Sequence, residues 1–182
     1  MENFIYESTV PHSVCEGLID FYYNNESFKP HKGIATGVVD DDVKVSEDIS
    51  VPKNYHQFDD RIKTYLYHLD LCIKSYFKKY ERSSMPCNVS DKFNIQHYNP
   101  GGGYKVWHHE RSTDKNSIRR HLVWMTYLTD NPNGGTEFLY QKLTVPAEKG
   151  KTLIWPAEWT YTHRSQIDEE LEKMIVTGWI EL

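Results

Sequence analysis

The apolar positions of this chain change their period near Asp91. Before it they recur at steps of three and four, the spacing that gathers side chains on one face of an α-helix. Pro11 suits a first helical position, and Val14, Leu18, Ile19 and Tyr22 then share a face, which predicts a first helix. A second helix is predicted over residues 55–80, where Phe58, Ile62, Tyr65, Leu66, Leu69, Ile73 and Phe77 form one stripe suited to core packing. Residues 24–54, between the two, are mostly polar and include the run Asp40, Asp41 and Asp42. They read as a long loop with short strands around 34–39, either a solvated segment or a flap over a site.

Beyond Asp91 the alternation has a period of two. Strands are expected at 93–98, 104–108, 120–128, 136–140, 143–145, 151–155, 161–165 and 173–180. The punctuation comes from Asn99-Pro100-Gly101-Gly102-Gly103, Asn131-Pro132-Asn133-Gly134-Gly135 and Glu148-Lys149-Gly150, all read as turns. Helices followed by about eight short strands predict an α+β protein whose sheet closes on itself as a jelly roll (a double-stranded β-helix), with the helices packed on one sheet. One domain over 1–182 is expected, with 1–90 as helical and loop support and 91–182 as the barrel.

Composition narrows the function. The formal charge is −5 with no basic block, which argues against duplex nucleic acid as the main partner. The first residues have neither the basic start nor the apolar stretch of a secretory signal, and no run of about 18 apolar residues could span a membrane. Cys15, Cys72 and Cys87 are widely spaced and odd in number, so they form no disulfide framework, and a reducing cytoplasmic setting is expected. Without a heptad pattern or a long apolar edge strand, a monomer or weak dimer is expected.

The chemistry begins at Trp107-His108-His109-Glu110. On extended backbone, side chains two apart point the same way, so His108 and Glu110 converge while His109 turns away. A histidine from another strand would complete a two-histidine, one-carboxylate set, which leaves positions open on one side of a metal such as Fe(II). A closed structural zinc site would want four protein ligands, and no cysteine lies nearby. An H-x-E triplet alone is common on ordinary surfaces, so the downstream residues decide. His163 opens His163-Arg164-Ser165, and Lys173 follows ten residues later, sharing a strand face with Ile175, Thr177 and Trp179. If that face is the barrel interior, a buried ammonium sits there without a carboxylate on its own strand. Asn94, Gln96 and Tyr98 form a polar face on one strand, while Val123, Met125 and Tyr127 share a face on another.

In order, Tyr98 and Gly101, His108 and Glu110, Tyr127 with Leu128, Gly134 with Gly135, His163 and Lys173 resemble the prolyl 4-hydroxylase-like branch of the 2-oxoglutarate/Fe(II) dioxygenases. The resemblance covers roughly residues 93–180. It departs from the family in having Glu110 where Asp is commoner and one extra residue between Tyr104 and His108. It implies that His108, Glu110 and His163 bind Fe(II), that Lys173 pairs with the distal carboxylate of 2-oxoglutarate, and that Tyr98 and Tyr127 donate hydrogen bonds to that cosubstrate. Both tyrosines also fit as core residues whose hydroxyls are satisfied by the protein. The implied reaction is hydroxylation of prolyl residues in a peptide or protein with dioxygen, with ascorbate as a possible reductant. A free amino acid or other small metabolite is the alternative substrate. A non-catalytic jelly roll that binds peptide or sugar, or a metal cupin working without 2-oxoglutarate, is the alternative class, and the buried Lys173 argues against both. Specificity would come from loops at 31–54 and 111–119. His97 and His121 are read as structural.

Overall fold

The structure, a computed structural model, describes residues 2–35 and 37–182. Strand β1 (Tyr6–Thr9) and helix α1 (His12–Asn24) come first, followed by β2 (His31–Lys32), β3 (Lys44–Val45), β4 (Glu47–Pro52) and helix α2 (Asp60–Lys79). The remaining strands are β5 (Asn88–Val89), β6 (Lys92–Tyr98), β7 (Gly103–Tyr104), β8 (Arg120–Tyr127), β9 (Asn131–Phe138), β10 (Leu143–Ala147), β11 (Lys151–Pro156), β12 (His163–Ser165) and β13 (Lys173–Glu181). The large sheet runs β1-β11-β8-β13-β6-β4-β2 with β5 also on β13; a second sheet is β10-β9-β12, and β3 pairs with β7. These are the two walls of a jelly roll.

Alternation explains how one sheet serves two cores. Trp124 on β8 and Met174, Val176 and Ile180 on β13 pack with α1 and α2. Their neighbours Val123, Met125, Tyr127 and Ile175 face inward, against Phe138 and Val145 of the smaller sheet. Burial on both faces is why residues 120–128 read as an almost unbroken apolar run.

Several boundaries differ from the sequence expectation. Helix α2 starts at Asp60 because the Asp59 carboxylate accepts the Arg61 backbone N–H at 2.9 Å and caps it. Residues 53–57 form a separate 3-10 turn, and Phe58, 75% exposed, leaves the apolar stripe. Pro11 occupies the capping position before α1 rather than its first turn. The 24–54 segment is not loop throughout, since Ile49 and Val51 are fully buried on β4, which pairs along β6. Its alternating Asp48 and Ser50 had lowered its apparent hydrophobicity. Within 34–39 only the Ala35–Val38 bridge is formed, and position 36 lies outside the described residues.

The expected turn at Asn131-Pro132-Asn133-Gly134-Gly135 is instead the first part of β9. Its register with β10 shifts between Val145 and Ala147, so these residues accommodate an irregularity in the ladder. A side chain on Gly135 would strike the Val145 carbonyl. The expected strand at 104–108 shrinks to β7, beyond which His108 makes a lone bridge to His163. Among the described residues no helix is long and apolar enough to cross a membrane. Cys15, Cys72 and Cys87 are free thiols.

Gly178 marks a close approach in the outer core. A Cβ there would sit 2.6 Å from the Trp124 ring and 3.1 Å from Phe93 Cβ. Both rings are fully buried and cannot give way. Gly178→Ala is therefore expected to destabilise by about 1–3 kcal/mol, lowering Tm by about 3–10 °C in a thermal melt. An unchanged Tm would mean that the sheet and helices are not packed this tightly.

Candidate active site

The structure brings His108, Glu110 and His163 together, with one ligand-type atom of each within 4.8 Å of the others. Two backbone hydrogen bonds, His108 N–H to the His163 carbonyl at 3.0 Å and the reverse at 2.8 Å, join the segments that carry them. Glu110 reaches the same point by the two-residue step, its Oε1 lying 3.5 Å from His108 Nε2 and 3.7 Å from His163 Nε2. His109 is exposed, as the alternation requires.

Each of the three is oriented from behind. The Nδ1 of His108 lies 3.0 Å from the Val106 carbonyl, and that of His163 lies 2.9 Å from the Tyr161 carbonyl. A carbonyl only accepts, so both Nδ1 atoms donate and the two Nε2 edges face Glu110. Glu110 Oε2 accepts from Trp179 Nε1 at 2.9 Å and from Arg120 Nη1 at 3.1 Å, which leaves Oε1 turned toward the imidazoles. Arg120 in turn stacks on the Trp179 ring at 3.6 Å. Tyr104 stacks on His108 at 3.6 Å, and Trp155 packs edge-on against His163. Two imidazole nitrogens and one carboxylate oxygen, all with outer partners, form a donor set suited to Fe(II).

The electrostatics agree with a cation at this point. Burial works to raise the Glu110 carboxyl but is outweighed by the hydrogen bond and charge of His108, by His163 and by Arg120, which hold it well below the usual carboxylate range. Burial, reinforced by His108, pushes the His163 imidazole down to about 3, so it is a neutral nitrogen donor at ordinary pH.

The inner core continues from the triad to Lys173. Its side chain is 4% exposed and faces the interior with Ile175. Its Nζ donates to the Gly134 carbonyl and lies 5.2 Å from the centre of the Tyr98 ring. Among the described residues no carboxylate forms a salt bridge with it. Burial pushes the ammonium down to about 8, with the charge of Asp168 pulling the other way. Tyr98 and Tyr127 are buried in the same core, but both hydroxyls have protein partners: Tyr98 donates to Gln96 Oε1 at 2.7 Å, and Tyr127 lies 2.6 Å from Thr136 Oγ1.

His97 and His121 stand outside the triad, His97 against Glu172 at 2.8 Å and His121 against the Ser83 carbonyl at 2.7 Å. Gly101, at φ +78°, makes the turn after β6. Arg120 and Trp179 hold Glu110 without being marked for it in the sequence: alternation puts Trp179 on the Lys173 face, and nothing local singles out Arg120. Lys44 and Asp48 are equally unmarked, being buried in the segment expected to be loop.

Residues 93–181 match the family described as the 2OG-Fe(II) oxygenase superfamily. No curated protein sequence matches the chain. Among solved structures, the fold is similar to the viral collagen prolyl hydroxylase of Paramecium bursaria Chlorella virus-1 in its 2OG complex. The TM-score is 0.71 at 16% identity, over 98% of this chain and 96% of that one. A Pseudomonas putida prolyl-4-hydroxylase gives a TM-score of 0.73 at 17% identity, covering 98% and 92%. A Trichoplax adhaerens prolyl hydroxylase, bound to a hypoxia inducible factor peptide fragment, gives 0.71 at 14%, covering 98% and 84%. At these identities the likeness is one of fold, and the family match falls on the strands that carry the triad and Lys173. Residues 93–181, the part that builds the barrel and its site, are thus similar to the 2OG-Fe(II) oxygenase superfamily in sequence, and the whole chain is similar to prolyl hydroxylases in fold.

Proposed function

We propose that this protein is a 2-oxoglutarate-dependent hydroxylase acting on prolyl residues of a peptide or protein, with His108, Glu110 and His163 as the Fe(II) ligands. The observation that carries the reading is the buried Lys173 ammonium, which shares its strand face with the inner core that packs on His163 and has no carboxylate in a salt bridge with it among the described residues. A desolvated cation of this kind calls for an anion, and a dicarboxylate whose other end reaches the metal supplies one. When bound, iron and 2-oxoglutarate would supply the oxidising chemistry: dioxygen and 2-oxoglutarate yield succinate and carbon dioxide as a substrate C–H becomes C–OH.

The chain's own part is positional. Lys173 anchors the distal carboxylate, Tyr98 and Tyr127 line the pocket, and Trp155 and Phe138 shield His163 from water. Ascorbate would serve as an external reductant. The whole chain would work as one catalytic domain, a cytoplasmic monomer or weak dimer. The prolyl specificity rests on the fold shared with prolyl hydroxylases of viral, bacterial and animal origin. The test is succinate formation with Fe(II), 2-oxoglutarate and a panel of proline-containing peptides, with oxygen incorporation read by mass spectrometry. Oxygen gained only by free proline or another small metabolite would move the substrate class. Absence of 2-oxoglutarate binding would overturn the reading.

A pH dependence follows from Lys173. Its cationic form binds the carboxylate, and the bound carboxylate raises its pKa, so above about 8 binding must take up a proton. Affinity for 2-oxoglutarate is expected to be level below about pH 7 and to weaken by up to about tenfold per pH unit above pH 8. Calorimetric titrations of the metal-loaded protein across this range check it. A flat profile would remove Lys173 from the cosubstrate contact.

A further inference from the structure

A buried chain of polar side chains runs from the 31–54 segment to Tyr98 in the inner core, where the proposed cosubstrate pocket lies. Lys44 on β3 and Asp48 on β4 form an ion pair at 2.6 Å, each side chain only 4% exposed. Asp48 also accepts from Ser46 Oγ at 2.8 Å and from Gln96 Nε2 at 3.0 Å. Gln96 Oε1 then accepts from the Tyr98 hydroxyl at 2.7 Å. Tyr98 is the register partner of Lys173, whose ammonium lies over its ring.

Donor and acceptor rules give this chain a direction. A carboxylate only accepts, so Gln96 must turn its NH2 toward Asp48. Its carbonyl is then left facing Tyr98, and a carbonyl also only accepts. The single hydroxyl proton of Tyr98 is thereby committed to Gln96, leaving lone pairs for the pocket. The oxygens of 2-oxoglutarate are acceptors too, so Tyr98 presents them with the wrong polarity. Tyr127 differs, because its close partner at 2.6 Å is the Thr136 hydroxyl, which can donate, while the Val145 carbonyl that accepts the Tyr127 proton lies at 3.5 Å, a long contact that a cosubstrate oxygen can replace.

We propose that Asp48, held by Lys44, is a positioning residue that fixes the Tyr98 hydroxyl as an acceptor through Gln96 and so withholds a hydrogen bond from the cosubstrate. The proposal rests on the 2-oxoglutarate reading above. Its consequence is a pocket that binds 2-oxoglutarate less tightly than its residues permit, with the anchoring left to Lys173 and Tyr127.

The test is the double variant Lys44→Met/Asp48→Asn, which removes both charges of the pair together so that neither is left buried alone. Asn at this position can present its NH2 to Gln96 Oε1, reversing the amide and releasing the Tyr98 proton. Calorimetric titration of the Mn(II)-loaded protein with 2-oxoglutarate should show Kd falling by about tenfold, the size of one hydrogen bond to a charged group. Adding Tyr98→Phe should cancel the gain. Structural damage does not tighten binding, so a folded double variant with unchanged or weaker affinity overturns the proposal. If the double variant does not fold, Gln96→Met frees the same proton by removing its acceptor, and the same gain or its absence decides. The relay also has a metal-free readout. Melting temperatures of Tyr98→Phe, Gln96→Met and their combination should be non-additive, and additive shifts overturn the relay. If the native protein binds no 2-oxoglutarate, the functional reading falls, and the relay is decided by the melting cycle alone.

Discussion

His163→Ala is expected to abolish 2-oxoglutarate turnover and to weaken Fe(II) binding by more than the roughly 10–100-fold that loss of an outer-shell partner costs. The imidazole is a neutral buried donor with its Nδ1 already committed, and among the described residues no fourth His, Cys, Asp or Glu joins the cluster to take its place. His163 also packs against both Phe138 and Trp155, so alanine leaves a hole as well as a missing ligand. His163→Gln separates the two effects by keeping most of the volume; it should restore Tm without restoring metal affinity. His108→Ala and Glu110→Ala should lose turnover as His163→Ala does. His109→Ala should bind metal almost as the native protein does, because His109 points into solvent. Anaerobic Fe(II) titration of the five variants reads all of this. Near-native affinity in His163→Ala would show that the cluster is not the metal site, and loss of metal in His109→Ala would show the register of the segment to be wrong.

The His108/Glu110 half of the triad was legible in the sequence because its determinant is local, whereas His163, far along the chain, entered through the family resemblance. Period two puts His108 and Glu110 on one side whether they lie in a strand or, as here, on an extended segment held by a single bridge. Alternation along β13 likewise groups Lys173 with Ile175, Thr177 and Trp179, but it is the burial of Lys173 and Ile175 in the structure that makes this face an inner one. What the sequence hid were polar residues whose partners lie far along the chain. Asp48 sits in a stretch rich in charge and looks solvated, yet Lys44, Ser46 and Gln96 satisfy it in the interior. The Asn-Pro-Asn-Gly-Gly segment carries every local mark of a turn, and tertiary contacts overrode them. Asn131 is buried and donates to the carbonyls of Leu171 and Glu172, holding the backbone extended. That extension is functional in the proposed pocket, because it presents the bare Gly134 carbonyl to Lys173.

The substitution of Glu110 for the commoner Asp shows how a local departure is absorbed. The extra methylene carries the carboxylate further from its backbone, where Trp179 and Arg120 hold Oε2 and the stacking of one on the other fixes both. The carboxylate thus turns a single oxygen toward the imidazoles, and a metal held there would be met by that oxygen.

Lys173 should show opposite effects on stability and on binding. Its ammonium is pushed from its usual 10.5 to about 8 by burial, a penalty of roughly 3 kcal/mol on the charged form at neutral pH. The sign follows from linkage: with the folded pKa depressed, the unfolded chain holds the proton more readily. The cost is therefore full below about pH 8 and disappears as pH rises through 10.5. Lys173→Met, which keeps the volume and removes the charge, should raise the Tm of the metal-free protein near pH 7 and do so much less at pH 10. The same change removes the proposed partner of the cosubstrate carboxylate. Truncating one member of a desolvated charge pair costs about 2–5 kcal/mol, so Lys173→Ala and Lys173→Met should both raise the 2-oxoglutarate Kd by roughly 30-fold or more. Fe(II) affinity without cosubstrate should change little, and Lys173→Arg should recover part of the binding because its charge is kept while its planar fork fits less well. A lysine kept only for packing would give neither the gain in Tm nor the loss in affinity. Unchanged 2-oxoglutarate binding in Lys173→Met would leave the buried cation without its proposed counter-charge and would withdraw the main support for a 2-oxoglutarate-dependent reaction.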